Sequence, residues 1–197
     1  MMILMRQMRV RIVPVVLAAL LLAGCAATVE EQQSGAPSES DAEIMEESEG
    51  GHLMRLTSPA FTEGQPLPRK YTCQGDGISP ELTIRDVPKG TRSLAIIMDD
   101  PDAPMGTFVH WVVWNINPGK GAIAEGERLT NEGMTSFRRA GYGGPCPPSG
   151  MHRYFFRLYA LDVVLELTPT TDKAGLERAM QGHILARAQL MGTYKKG

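Results

Sequence analysis

His110 and His152 each stand on an apolar, strand-like run, and each run follows a loop built to hold chemistry in place. Ahead of His110 lies Asp100-Pro101-Asp102-Ala103-Pro104, where proline locks φ and keeps two carboxylates on a stiff turn. Ahead of His152 lies "GYGGPCPPSGMHRY", residues 141–154, in which Gly141, Gly143 and Gly144 let backbone N–H groups approach a ligand closely. Two imidazoles, the Tyr154 hydroxyl and such amides suit a phosphate or carboxylate. Asp100 and Asp102 could accept from an ammonium or orient the imidazoles. Each piece alone also has a plainer reading: D-P-D is a turn, a histidine on an apolar strand is a satisfied core residue, and Gly with Pro punctuates a loop. Their joint occurrence at strand ends is what points to a site.

Other chemistries fit this residue set less well. Two histidines and two aspartates could converge on zinc, but zinc usually takes three or four protein ligands, and no helical H-x-x-x-H frame is present. Asp102 with His110 supplies two-thirds of a hydrolytic triad, yet no serine sits in a nucleophile elbow, so Ser149 or Cys146 would have to serve. The expectation is therefore a binding site with no metal, no cofactor and no catalytic residue. Asp99 joins Asp100 and Asp102 in the same stretch. Burying a carboxylate without a partner is costly, so the three lie either on a solvated turn or around a site that needs them.

The elements that position these residues read as β-strands. Short apolar runs separated by Gly, Pro, Asn and Asp dominate residues 53–168. "LMRLTSPAF" opens the domain, "QPLPRKYTC" follows a turn at Glu63-Gly64, and "PELTIRDVP" is a short alternating strand. "SLAIIMDD" holds a continuous apolar run, Leu94 to Met98, as in strands covered on both sides. "TFVHWVVWNI" is apolar on both faces and predicts a central strand. In "HRYFFRLYALD", His152, Tyr154, Phe156, Leu158 and Ala160 share a face that begins polar and turns apolar, the pattern of a strand leaving a core at a pocket mouth. After "ELTPTT" the period changes. Thr171 or Asp172 can cap a helix through "KAGLERAMQGHILARAQLMG", with Leu176, Met180, Ile184 and Leu185 at helical spacing and Gly182 as an internal conflict. His183 on it reads as a surface or boundary residue.

Residues 1–24 read as a secretory leader: Arg6, Arg9 and Arg11 precede "IVPVVLAALLLAG", a run too short to span a bilayer comfortably. Its end, "LLAGC", resembles the lipobox of bacterial lipoproteins, with Cys25 as the lipidated residue that anchors the chain in a membrane. Residues 25–50 contain eight acids, no Lys or Arg and no aromatic residue, and predict a disordered tether. From residue 51 on, 17 bases face 14 acids, a formal net charge of +3. That is compatible with an anionic ligand and far short of a nucleic-acid footprint. Residues 51–197 form one domain large enough for a single core. The expected location, outside the cytoplasm in a bacterial cell envelope, permits a disulfide between Cys73 and Cys146.

"DDPDAPMGTFVHWVVWNI" together with "GYGGPCPPSGMHRYFFRLYALD" resembles the phosphatidylethanolamine-binding protein family, in its bacterial branch named after the Raf kinase inhibitor protein. "YTCQGDGISPELTI" and "HILARAQLMGTYKK" extend the resemblance across the domain. It implies an all-β fold with minor α content: a two-sheet antiparallel β-sandwich with Greek-key connections, a C-terminal helix and a small anion pocket at one end. It also implies a ligand site made by Asp100, Asp102, His110, Gly144, Pro145, His152 and Tyr154. The implied function is binding of a phosphorylated or carboxylated ligand such as a phospholipid head group. The alternative is inhibition of a protease or kinase through protein–protein contacts.

Overall fold

The computed structural model describes residues 53–197. The leader, Cys25 and the acidic tether lie outside the described residues. Seven strands and one α-helix follow in chain order: β1 (Arg55–Thr57), β2 (Leu82–Arg85), β3 (Ser93–Asp100), β4 (Phe108–Ile116), β5 (Ala122–Ile123), β6 (Met151–Leu161), α1 (Lys173–Met180) and β7 (Ile184–Lys195). They make two antiparallel sheets, one ordered β1-β2-β5 and the other β4-β3-β6-β7.

Alternation along the strands assigns the two faces of the larger sheet. Leu94, Ile96 and Met98 of β3, Trp111 and Val113 of β4, Phe156 and Leu158 of β6 and Leu190 of β7 turn toward Leu56, Leu82, Ile84 and Ile123 of the smaller sheet, in one shared core. Ala95, Ile97, Val112 and Trp114 turn the other way and are covered by Leu165 and by Leu176 and Met180 of α1. With cover on both faces, every residue of β3 is buried.

Two sequence expectations are corrected. Although β4 is buried on both faces, it is not a central strand: it lies at the end of its sheet, and β3 and β6 are the inner pair. Burial on both faces reports what lies above and below a strand, not what lies beside it. The outer edge of β4 is occupied instead by residues 131–136, where Trp114 N–H donates to Asn131 and Gly133 N–H donates to Val112. The helix is also shorter than expected. Asp172 caps it by accepting from Gly175 N–H at 2.8 Å, and it stops before Gly182, whose φ of 80° is unfavourable for other residues. Ile184–Lys195 is then a strand laddered along β6 from Leu161↔Ile184 to Met151↔Lys195. Its even-numbered residues turn inward and its odd-numbered ones outward, a period of two that outweighs the helical spacing of Ile184 and Leu185 once β6 is there to pair with. The C-terminal helix is therefore a helix that precedes the last strand. His183 lies exposed between them, its Nδ1 2.8 Å from Asp162 Oδ1.

Candidate functional site

The end of β3 separates the two adjacent carboxylates by simple alternation. Asp99 points toward α1, where it meets Arg157 Nε at 3.3 Å and Lys173 Nζ at 2.5 Å. Asp100 points to the other side, and its Oδ2 lies 2.7 Å from Nδ1 of His152 on the neighbouring strand β6. The other Asp100 oxygen accepts from Asp102 N–H at 2.9 Å, which folds the D-P-D turn back on its own carboxylate. Asp102 itself faces away from the imidazoles. It takes a forked pair from Arg153, with Nη2 at 2.6 Å and Nε at 2.9 Å, and this holds its pKa down at about 2. All four carboxylate oxygens of Asp100 and Asp102 thus have a protein donor, and both residues orient their neighbours.

His110, on β4, is fixed by the loop before β6. Its Nδ1 donates to Gly143 C=O at 2.7 Å, and its own carbonyl accepts from Gly143 N–H at 2.9 Å. This assigns the proton to Nδ1 and leaves Nε2 as the acceptor of the neutral ring. Burial pushes the His110 pKa down, against smaller upward pulls from the Gly143 carbonyl, Asp100 and Asp99 and a small downward push from His152. The folded protein therefore leaves His110 neutral at neutral pH. Below about pH 6.5 the unfolded chain takes that proton first, and this residue's contribution to stability falls.

Tyr154 stands next to His110 with ring centroids 5.2 Å apart, and His152 stacks at 6.5 Å on its other side. The Tyr154 side chain is fully buried, and its hydroxyl has no hydrogen-bond partner among the described residues. Burial, with the nearby Asp100 charge as a smaller cause, raises its pKa far above the ordinary phenol value and keeps it a proton donor. His110, His152, Tyr154 and Asp100 help to line a cavity of about 490 Å³. Nε2 of each histidine and the tyrosine hydroxyl are its unpartnered polar atoms among those residues.

The remaining expected site residues fall elsewhere. Asp102 is off the cavity wall. Gly144 and Pro145 also stand behind it: a Cβ at Gly144 would come within 2.9 Å of Tyr71 O, and Pro145 C=O accepts from Cys73 N–H at 3.0 Å. Their part is to dock the loop, and the wall is made by the next residues, Cys146, Pro147 and Pro148. Cys146 is joined to Cys73 by a disulfide with Cα atoms 5.4 Å apart. The hypothetical pairing of Asp102 with His110 does not form, and Cys146 carries no free thiol. Sequence reasoning missed Phe108 and Phe137, which line the cavity. The signal for Phe137 was an aromatic residue in the polar loop "TSFRRAG", where nothing local calls for one. Among the described residues no cluster of three or more metal-ligating side chains occurs.

The family model for phosphatidylethanolamine-binding proteins matches residues 57–195. A UPF0098 protein of Chlamydia trachomatis is 48% identical over 149 residues, covering 73% of this chain and 99% of that protein. One of Methanothermobacter thermautotrophicus is 46% identical over 151 residues, covering 73% and 100%. Among solved structures, a phosphatidylethanolamine-binding protein homologue of Chlamydia trachomatis superposes with a TM-score of 0.72 at 47% identity, covering 74% of this chain and 99% of that one. Escherichia coli YbcL, described as a member of the mammalian family, superposes with a TM-score of 0.69 at 28% identity, covering 73% and 99%. The extent of these matches leads to one conclusion: the chain belongs to the phosphatidylethanolamine-binding protein family.

Proposed function

We propose that this is a non-enzymatic binding protein whose cavity takes a small phosphorylated or carboxylated ligand, and that it works outside the cytoplasm, held to a bacterial envelope membrane through lipidated Cys25. The observation that carries the binding reading is the Tyr154 hydroxyl, buried and unpartnered beside two imidazoles whose Nδ1 atoms are already engaged. A buried hydroxyl without a partner costs about 1–3 kcal/mol, and a ligand oxygen that accepts from it recovers that cost. His152, its Nδ1 engaged by Asp100, keeps Nε2 without a protein partner among the described residues. His110, neutral with its proton on Nδ1, must take up a second proton before its Nε2 can donate to an anion.

The test is a thermal-shift titration of the purified protein with phosphate, phosphoethanolamine, acetate and sulfate at constant ionic strength. A ligand at 100 times its Kd is expected to stabilise the wild type by about 2.7 kcal/mol. Tyr154→Phe should raise the stability of the free protein by about 1 kcal/mol while weakening every anion, an opposition that a merely structural tyrosine does not produce. Because binding brings a proton to His110, the affinity for sulfate, whose own charge is constant, should rise as the pH falls from 7.5 to about 6. The absence of any saturable shift would overturn the binding reading. The anchor is tested separately: the full chain should partition into detergent, and Cys25→Ser should not.

A further inference from the structure

The larger sheet carries a second concavity, on the face turned away from the shared core. Tyr159 of β6 and Arg187 of β7 are cross-strand partners there, and the end of α1 brings Glu177 and Gln181 beside them. With Met180, Gly182 and Ile184 as the remaining wall, they enclose a pocket of about 460 Å³, within the ~300–1,000 Å³ typical of small-molecule sites. Along β6 the side chain of Tyr159 alternates to the opposite face from that of Tyr154, so the sheet itself separates this pocket from the histidine cavity.

Its polar groups are uncommitted. On the same sheet face Arg153 is held by Asp102, and Arg157 by Asp99 and Gln189, but Arg187 has no ion-pair or hydrogen-bond partner among the described residues. The Tyr159 hydroxyl and the Gln181 amide, which share the pocket, have none among them either. Glu177 has Lys173 at 3.7 Å, a loose i,i+4 contact. Burial raises the Tyr159 pKa, Arg157 lowers it and Glu177 raises it again, which keeps the phenol protonated and a donor. Gly182, at a φ of 80°, ends the helix without a side chain, and no atom stands within 4 Å of where its Cβ would lie, so the pocket stays open at that side.

The charges are sorted by element. Glu177 and the C-terminal end of α1, the negative end of its peptide dipoles, make the helix side, and Arg187 makes the strand side. A molecule with a single charge meets a like charge here as well as an opposite one. A molecule with both charges, its ammonium toward the helix and its carboxylate toward Arg187, is favoured at each end. The guanidinium fork matches a carboxylate, the Tyr159 O–H can donate to the same group, and the Gln181 carboxamide oxygen can accept from the ammonium.

We propose that this pocket is a second binding site, separate from the histidine cavity, for a small zwitterion of the aminocarboxylate type. The purified, isotope-labelled protein should be titrated with glycine, β-alanine and γ-aminobutyrate, which space the two charges differently, and with acetate and ethylammonium, which carry one charge each. At least one aminocarboxylate is expected to shift the amide NMR signals of Tyr159, Gln181, Gly182 and Arg187 saturably and together while those of His110 and His152 stay in place. Acetate and ethylammonium should bind about tenfold more weakly or worse, since each forgoes one charge-assisted set of hydrogen bonds. Arg187→Gln and Glu177→Gln, both at exposed positions where the fold tolerates exchange, should each weaken the aminocarboxylate about tenfold. The proposal is overturned by the lack of a saturable shift at these four residues for all three aminocarboxylates, by acetate or ethylammonium binding as tightly as the best of them, or by unchanged affinity in either variant. Shifts centred on His110 and His152 overturn it as well, because they place the ligand in the first cavity.

Discussion

Replacing Cys73 and Cys146 together with serine is expected to lower the stability of the folded domain by about 4 kcal/mol and its Tm by roughly 10 °C. The size follows from the loop that the bridge closes: the two residues are 73 positions apart, so the cut releases a long stretch of unfolded chain. Changing both residues at once avoids a free thiol that could form wrong bridges. The loop does not come loose altogether, because Cys73 N–H still donates to Pro145 C=O at 3.0 Å and the Tyr142 hydroxyl still donates to Tyr71 C=O at 3.0 Å. Those bonds hold the loop in the folded state and do nothing to restrict the unfolded one. Since Cys146 and the two prolines after it form part of the cavity wall, affinity for the ligand should fall along with stability. Calorimetric melting of the wild type and the double variant measures the first effect. A Tm change below 2 °C would falsify the chain-entropy account of this bridge.

The fold was legible in the sequence wherever one face of a strand carried a consistent pattern. β3 and β6 read correctly because burial on both faces leaves a continuous apolar run, and burial on one face leaves a period of two. β7 did not, because Leu176, Met180 and Ile184 fall at helical spacing, and the deciding interaction is a ladder with β6, which lies far earlier in the chain. Gly182 was the local sign of that boundary: glycine at a positive φ ends a helix more readily than it continues one. The edge position of β4 was not legible at all, since side chains report faces and only backbone pairing reports neighbours.

For the candidate site, the structure brings His110, His152, Tyr154 and Asp100 to a common cavity. Cys146, Pro147 and Pro148 line that cavity, and Gly144 and Pro145 stand just before them in the loop. Spacing along a G-G-P-C-P-P run cannot tell which residues dock the loop and which face the cavity, because that depends on Thr72 and Tyr71 packing behind Gly144. Phe137 becomes visible as a lining residue only when its loop is folded against Phe108 and His110.

Three acids crowd the start of the D-P-D turn because the chain sends them to three different places, and mutation should separate them by size of effect. Asp99→Ala is expected to cost about 3 kcal/mol. The carboxylate is 1% exposed and is the common partner of Arg157 and Lys173, whose side chains are 33% and 24% exposed. Removing it leaves two partly buried cations facing each other, the situation in which breaking a buried pair costs ~3–5 kcal/mol, and the residual access of both cations to water puts this case at the lower end. Lys173 begins α1, so the loss should also loosen the helix from the sheet, exposing Leu176 and Met180. Lys173→Met should be milder, since Asp99 keeps Arg157. At Asp102, whose partner Arg153 is 54% exposed, alanine should cost about 1 kcal/mol or less. Asp100→Asn should show mainly in anion affinity, through His152. Urea unfolding of the three variants gives the ranking, and an Asp99→Ala cost no larger than that of Asp102→Ala would mean that Arg157 and Lys173 reach solvent freely once their partner is gone.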